Sequence, residues 1–435
     1  MSRGNARKKK DRKSEGIAMK EQIFKVAIIG GGAAGMMAAL SASRILPGGE
    51  VVLLEKNPVL GKKLSATGNG RCNFSNRACK WQDYGGKDLS LVLHAFGHLS
   101  PKETEALFEE LGILAREESG GRLYPYSEQA AAVTDAFSEA LKENGVVVRL
   151  DTEVTRVTKA DNRFIVEYDG GFTQAKSLII ATGGKAGHRY GSTGDGYGFA
   201  KSFGHTLERP LPALVQIVTE SGVTDRLKGV RAKGAVSLVK GQELVTREEG
   251  EIQFTEDGLS GICIFDLSRL LGEDPAVFRV QIDLFPEFSS DRLRKLLEYR
   301  KEKFANRPAK SLLTGMLHNK LISLYLELAG IDADSSVCQV DETQLLLLSR
   351  LLKCREVAVK GTKGWIEAQV TVGGVKGEEV QGETLESKLV PCLFFAGELL
   401  DIDGKCGGWN LQWAWSSGFS AGKHAALVSS LADGE

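Results

Sequence analysis

Three glycines, Gly30, Gly32 and Gly35, stand in the spacing G-x-G-x-x-G, and a carboxylate, Glu55, follows 20 residues after the last of them. Residues of these types in this order can hold a dinucleotide. The first glycine permits a tight turn, the second lets backbone approach a pyrophosphate, and the third lets a helix pack closely on a strand. A helix that starts here offers unpaired N–H groups and roughly half a positive charge to phosphate. Glu55 can accept hydrogen bonds from both hydroxyls of an adenosine ribose. A 2′-phosphate at ~4 Å from it would meet repulsion of about 4 kcal/mol at an effective dielectric of about 20. The spacing therefore points to NAD or FAD and away from NADP at this site.

The elements around these residues suit the task. "FKVAII" before the glycines reads as a buried strand, "MMAALSASRIL" after them as a helix, and "EVVLLE" as a second strand ending at Glu55. This is a βαβ opening, and it predicts an α/β fold. Two further buried strands end in glycine: "SLIIA" runs into Thr182-Gly183-Gly184, and "CLFFAGE" ends at Gly397 and Glu398. A dinucleotide laid over strand ends would use such points. One segment just after Glu55, "GKKLSATGNGRCNFSN" (61–76), has no apolar period of either two or 3.6 and builds no core.

Composition bounds the function. Lysine plus arginine and aspartate plus glutamate number 56 each, so no net field favours nucleic acid or an anionic membrane. No apolar run reaches the ~18 residues a membrane span needs. The seven cysteines form no CxxC pair, and His94, His98, His318 and His424 have no metal spacing, so a reduced, cytoplasmic setting without a metal is expected. The expected partner is a small molecule, with neither nucleic acid nor membrane; oligomeric state is not legible. Residues 1–22 are basic and polar and lack the apolar stretch of a secretory signal, so a disordered tail is expected, with Met19 just ahead of the first structured segment.

From about Arg209 the texture changes to short strand-like pieces, including "QELVTREE" and "EIQFTE", and 291–353 reads as helical. This predicts an inserted domain over 209–365, a β unit to about 290 and then a helical part. It would interrupt a discontinuous domain made of 23–208 and 366–435.

The glycine motif with Glu55-Lys56, "IIATGG" and "FFAGELLD" resemble the motifs of two-dinucleotide-fold FAD flavoproteins. "GSTGDGYGFAKSFGH" and "TVGGV" are similar to segments of fumarate reductase and succinate dehydrogenase flavoprotein subunits. "GKKLSATGNGRCNFSN", "FTEDGLSGICIFDLS" and "GELLDIDGKCGGWNLQWAWSSGFSAG" resemble the aminoacetone oxidase-family FAD-binding proteins, a group that includes bile-acid ene-reductases. The likeness covers nearly the whole chain after Met19.

The resemblance implies a Rossmann-like FAD-binding domain with an inserted β-rich and helical domain covering a non-covalently held flavin. It extends the cofactor-binding set from Gly30, Gly32, Gly35 and Glu55 to Ala33, Ala34, Lys56, Lys63, Gly70, Arg71, Val154, Ala181, Thr182, Gly183, Gly397, Glu398, Asp401, Asn410, Leu411 and Gln412. The 61–76 segment would run beneath the pyrophosphate toward the flavin ring, with Lys63 and Arg71 balancing charge and Asn69 and Asn73 donating or accepting hydrogen bonds. Cys72 would be a packed or flavin-adjacent thiol. Arg71, His188 and Arg189 are the candidate catalytic residues, and Arg122, Tyr124 and Tyr126 candidate pocket residues. The implied activity is hydride transfer to or from an activated C=C of a small organic substrate, for which NADH or NADPH could serve as electron donor. A flavin-dependent amine oxidase and a non-catalytic FAD-binding protein are the alternatives.

Overall fold

A computed structural model describes residues 23–220 and 224–431; the expected tail, 1–22, lies outside the described residues. The apolar strand Ile23–Ile29 is the centre of a mainly parallel sheet. It pairs with Val51–Leu54 on one side and Gly171–Ile180 on the other, and Val147–Arg149 adds to the Val51–Leu54 edge. Gly171–Ile180 is long enough to serve further neighbours. Its first half pairs antiparallel with Arg163–Tyr168, itself paired to Val154–Ala160, while its last residues pair in parallel with Leu393–Phe395. Ile180 faces both Ile29 and Phe395 in register. The three strands therefore stop level with one another, and Gly30, Gly183 and Gly397 meet along one edge.

Helices cover this sheet. Ala33–Ser43 is buried on nearly every side, which explains its lack of a polar stripe. It packs against the long C-terminal helix Trp409–Leu431 through small residues: a Cβ on Gly418 or Gly422 would lie 2.3 or 2.2 Å from the carbonyl oxygen of Ala34 or Ala38. Any side chain there would push the helices apart.

The inserted region is a closed six-stranded barrel, in the order Ile217–Thr219, Gly258–Ser260, Glu243–Phe254, Arg231–Lys240, Phe278–Asp283 and Arg355–Thr362. Closure removes exposed strand edges. The helices Ser290–Lys303, Asn319–Leu328 and Glu342–Lys353 pack their leucines, among them Leu297, Leu326, Leu348 and Leu352, into the same core as Val236, Leu238, Ile252 and Val280 of the barrel. The β part expected to end near 290 is thus completed by a strand that follows the helices. "QELVTREE" and "EIQFTE" are also one strand, because pairing along Arg231–Lys240 carries the chain straight through Gly250, opposite Gly234. A two-stranded link, Leu207–Ala213 with Val370–Val375, joins the barrel to the first domain. Among the described residues no helix is long and apolar enough to cross a membrane, and no group of three or more His, Cys, Asp or Glu is placed to hold a metal ion.

Candidate functional site

Gly30 has φ +103°, and a Cβ on it would lie 2.6 Å from the Ala181 carbonyl oxygen, so the first turn needs glycine for both conformation and space. A Cβ on Gly35 would lie 1.8 Å from the Gly30 carbonyl oxygen, which fixes the helix close to the strand end. A Cβ on Gly32 would meet nothing within 4 Å. Gly32 is the N-cap of Ala33–Ser43 and has no side-chain cap, so the helix start at Ala33 and Ala34 is open to a phosphate.

Glu55 is 7% exposed and fixed at the end of Val51–Leu54. Its Oε2 accepts from the Gly31 N–H at 2.6 Å; its Oε1 accepts from the Asn57 N–H at 2.7 Å and Asn57 Nδ2 at 2.6 Å. These bonds aim the carboxylate and leave a lone pair of Oε2 for a ribose hydroxyl. Val154 opens the strand Val154–Ala160, and the Thr152 N–H just before it bonds the Glu55 carbonyl at 2.9 Å. Lys56 turns the other way: Nζ donates to Thr193 Oγ1 at 2.7 Å and pairs with Asp195, in the first turn of the helix Asp195–Ser202.

At the second strand end, the Ala181 N–H donates to the Ile29 carbonyl at 2.9 Å. Thr182 and Gly183 follow, and the buried Thr182 Oγ1 has no partner. At the third, Gly397 is pinned through its N–H to Ser417 Oγ (2.9 Å) and its carbonyl to Trp413 Nε1 (3.0 Å). Glu398 Oε1 accepts from the Thr371 N–H at 2.8 Å, and Oε2 from Lys63 Nζ at 2.6 Å. Thr371 Oγ1 in turn accepts from the N–H groups of Lys185 and Ala186. Lys63 therefore joins the segment after Glu55 to the last strand end, and Thr371 joins the last to the second.

The 61–76 segment is a tight turn over Leu64–Gly70, with Gly68 and Asn69 in the left-handed region. Gly70 ends it. Arg71 does not stand free: NH1 donates to Glu118 Oε1 at 2.7 Å, and the guanidinium lies 4.3 Å from the Tyr124 ring centre. The Glu118 hydrogen bond raises its pKa further. Cys72 is fully buried, and burial pushes its thiol up to about 12, so it is a packed, protonated group. Asn73 is buried with Oδ1 unpartnered.

Other expected residues divide. Burial pushes the Asp401 carboxyl up to about 6, and Oδ2 accepts from the Lys87 N–H at 3.2 Å. Asn410 is tied to both the N–H and the carbonyl of Gly404 at 2.8 Å. Gln412 is buried and bonded to Ser75, Thr104 and Ser416. The side chains of Asn410 and Gln412 are thus spent inside the protein. The Gln412 N–H also donates to the Gly408 carbonyl, at 2.9 Å, so what remains for a ligand is the backbone of Asn410 and the part-buried Leu411 at a helix start, beside the left-handed turn Gly407-Gly408 (φ +105° and +106°). His188 and Arg189 are exposed in a short turn near Lys63; the Arg189 guanidinium lies 4.8 Å from the Tyr190 ring centre. Tyr126 is exposed and Tyr124 buried.

Some residues carried no readable signal. Arg269, at the end of the barrel-side helix Ile262–Ser268, places Nε 2.5 Å from Asp403 Oδ2 and NH2 3.1 Å from the Asp403 carbonyl, with both side chains almost fully buried. Asp266 accepts from the Cys406 N–H at 2.7 Å, and burial pushes its carboxyl up to about 6. These contacts clamp the barrel onto the 403–408 turn. Nothing in the local spacing announces a pair 134 residues apart.

FAD fits this edge. The open helix start would take a pyrophosphate and Glu55 a ribose, and the unpartnered Thr182 Oγ1 and Asn73 Oδ1 lie on the strand end and the segment that would flank its path. Comparison with known proteins agrees. Residues 24–424 match the family model described as HI0933-like protein Rossmann domain. The chain is 36% identical over 405 residues to a 3-dehydro-bile acid delta(4,6)-reductase of Clostridium scindens, covering 92% of this chain and 99% of that protein. It is 30% identical over 398 residues to a ribosomal RNA dihydrouridine synthase of Escherichia coli, covering 91% and 96%. A solved quinol-fumarate reductase with menaquinol molecules shares the fold, with TM-score 0.50 and 16% identity over 95% of this chain and 72% of that one. The chain is an FAD-dependent oxidoreductase and belongs to the HI0933-like family.

Proposed function

We propose that the protein reduces a carbon–carbon double bond conjugated to a carbonyl, using non-covalently bound FAD that NADH or NADPH recharges. The observation that supports this reading is a bond type shared by relatives with different substrates. The C. scindens protein is named for the 4,6 double bonds of a 3-oxo bile acid; the E. coli protein is named for dihydrouridine, in which the uracil double bond beside a carbonyl is saturated. Bound flavin supplies the hydride. The protein's part is to hold the cofactor along Gly30, Glu55, Gly183 and Gly397, to cover it with the barrel through Arg269 and Asp403, and to bind the substrate carbonyl. Among side chains, Arg71, His188 and Arg189 are proposed to act beside the bound substrate.

The substrate we propose is a small conjugated ketone in the cytoplasm, in keeping with the balanced charge. A second reading, uracil within RNA, is favoured by the 30% identity to the E. coli protein. One experiment separates them. Reduced holoenzyme is mixed without oxygen with 3-oxo-4,6-diene bile acids or with unmodified ribosomal RNA. Flavin reoxidation and a gain of two hydrogens in the product are read together. Reoxidation by neither, with oxygen-dependent turnover of an amine, would make the amine oxidase the better reading; reactivity toward none of these would leave a non-catalytic flavin protein.

A further inference from the structure

Beside the start of the helix Trp409–Leu431 stands a cation, Arg122, that no carboxylate among the described residues pairs with. Arg122 opens the strand Arg122–Pro125, held in register between Asn76 and Glu118 of its two neighbours. Glu118 is its direct partner across the ladder, yet the Glu118 carboxylate goes to Arg71 at 2.7 Å. Arg122 binds only neutral acceptors: Nε donates to the Ser119 carbonyl and NH2 to Ser119 Oγ, both at 3.0 Å. Among the described residues it makes no ion pair. Its stem lies on the Gly407 turn, where a Cβ would come 3.4 Å from Cδ. The next residue, Gly408, would place a Cβ 2.9 Å from Asn73 Oδ1, the buried acceptor that has no partner.

The other charges of this turn have partners: Asp403 pairs with Arg269, and Lys405 Nζ lies 3.2 Å from Glu248 Oε1. Burial pushes the Cys406 thiol up to about 12 and raises the Tyr124 phenol. Asp266, which faces Cys406 from the barrel, is pushed up to about 6 by burial and is occupied by the Cys406 N–H. Thus the 403–408 turn carries an unpaired guanidinium on one side and an unpartnered amide oxygen beneath it, next to a helix start.

We propose that Arg122 is the catalytic residue that holds the substrate carbonyl oxygen and stabilises the enolate formed during reduction. This rests on the conjugated-carbonyl reading above. A hydride from reduced flavin forms a new C–H bond at the β-carbon. The π pair of the double bond shifts to make the enolate, and the negative charge falls on oxygen. The guanidinium hydrogen-bonds that oxygen, and the enolate then takes a proton from water at the α-carbon, restoring the C=O. Such a donor acts on charge that develops only in the transition state. Arg71, neutralised by Glu118, is less suited to this role.

The test uses FAD-loaded enzyme with Arg122→Ala and Arg122→Lys, and two readouts. First, reoxidation of reduced flavin by cyclohex-2-enone and by uridine-containing RNA is followed by stopped flow. Arg122→Ala should slow it about 100-fold, with flavin reduction and occupancy unchanged, and lysine should restore part of the loss. Second, 4-nitrophenol, an inert mimic of the enolate oxygen, is titrated on the oxidised enzyme by its own absorbance. Its bound pKa should be lowered in wild type and return toward the free value in Arg122→Ala. Equal reoxidation rates together with equal phenol titrations, or no phenolate binding to wild type, would overturn the proposal. If neither acceptor reoxidises the wild-type flavin, the conjugated-carbonyl reading falls by itself, and the phenol titration still decides whether Arg122 serves an oxyanion.

Discussion

Lys63 Nζ lies 2.6 Å from Glu398 Oε2, across 335 residues of chain. The pair closes a ring of contacts around the sheet edge: Glu398 also holds the Thr371 N–H, and Thr371 holds the backbone after Gly184. Both side chains are part-buried, at 26% and 19% exposure, so the charges are only partly screened. A hydrogen bond to a charged group of this kind contributes about 1.5–3 kcal/mol. Lys63→Met should therefore weaken FAD binding about tenfold or more, with far-ultraviolet circular dichroism unchanged. Flavin fluorescence on titration of apoprotein measures it; unchanged affinity would mean that the pair does not shape the site.

Glu55 holds the loop around it and is proposed to hold the cofactor ribose. Its carboxylate accepts from Gly31 and Asn57 before any ligand arrives. Glu55→Ala should lower FAD affinity at least tenfold, since charge-assisted bonds worth about 1.5–3 kcal/mol each are lost. Glu55→Gln should be milder, because the amide oxygen can still accept from one backbone N–H. Equilibrium dialysis of FAD against the three proteins checks the order.

The Arg269–Asp403 pair is almost fully buried. Burial outweighs the arginine and holds the Asp403 carboxyl above its usual range. Removing one partner from a buried pair costs about 3–5 kcal/mol, because the other charge stays behind without compensation. Arg269→Ala should show this cost in urea denaturation at pH 7.5. The cost should shrink at pH 5, where a lone Asp403 can take up a proton. A pH-independent cost would point to lost packing alone.

Asp266 carries the opposite sign from a salt-bridged carboxylate. Burial raises its folded pKa from 3.8 to about 6, so the folded state binds the proton more tightly than the unfolded state. Its contribution to stability is full at low pH and is lost as pH rises from about 4 to about 6. Asp266→Asn keeps an acceptor for the Cys406 N–H and removes the charge. The variant should gain on wild type across that window, by roughly 1–3 kcal/mol above pH 7. Thermal melts at pH 4.5 and 7.5 measure the change. A constant difference between the two proteins would show that Asp266 is more hydrated than its burial implies.

Much of the first domain was legible because its signals are local. Apolar strands, glycines at fixed spacing and an acid at a strand tip are properties of short segments, and "FKVAII", "SLIIA" and "CLFFA" each fall on a strand of the main sheet. The charge on Lys63 and the glycines of 61–76 could be read as cofactor-directed, but their partners could not. Which carboxylate takes which cation depends on where distant strands stop. Tertiary structure alone placed Glu398 on Lys63, gave Glu118 to Arg71, and left Arg122 with neutral partners. It also closed the barrel with Arg355–Thr362, past three helices, because strand pairing rewards a complementary edge however far along the chain it lies. Sequence alone determined which segments could meet a dinucleotide; the register of Ile29, Ile180 and Phe395 decided that those segments lie side by side, since three parallel strands in register must end at one edge.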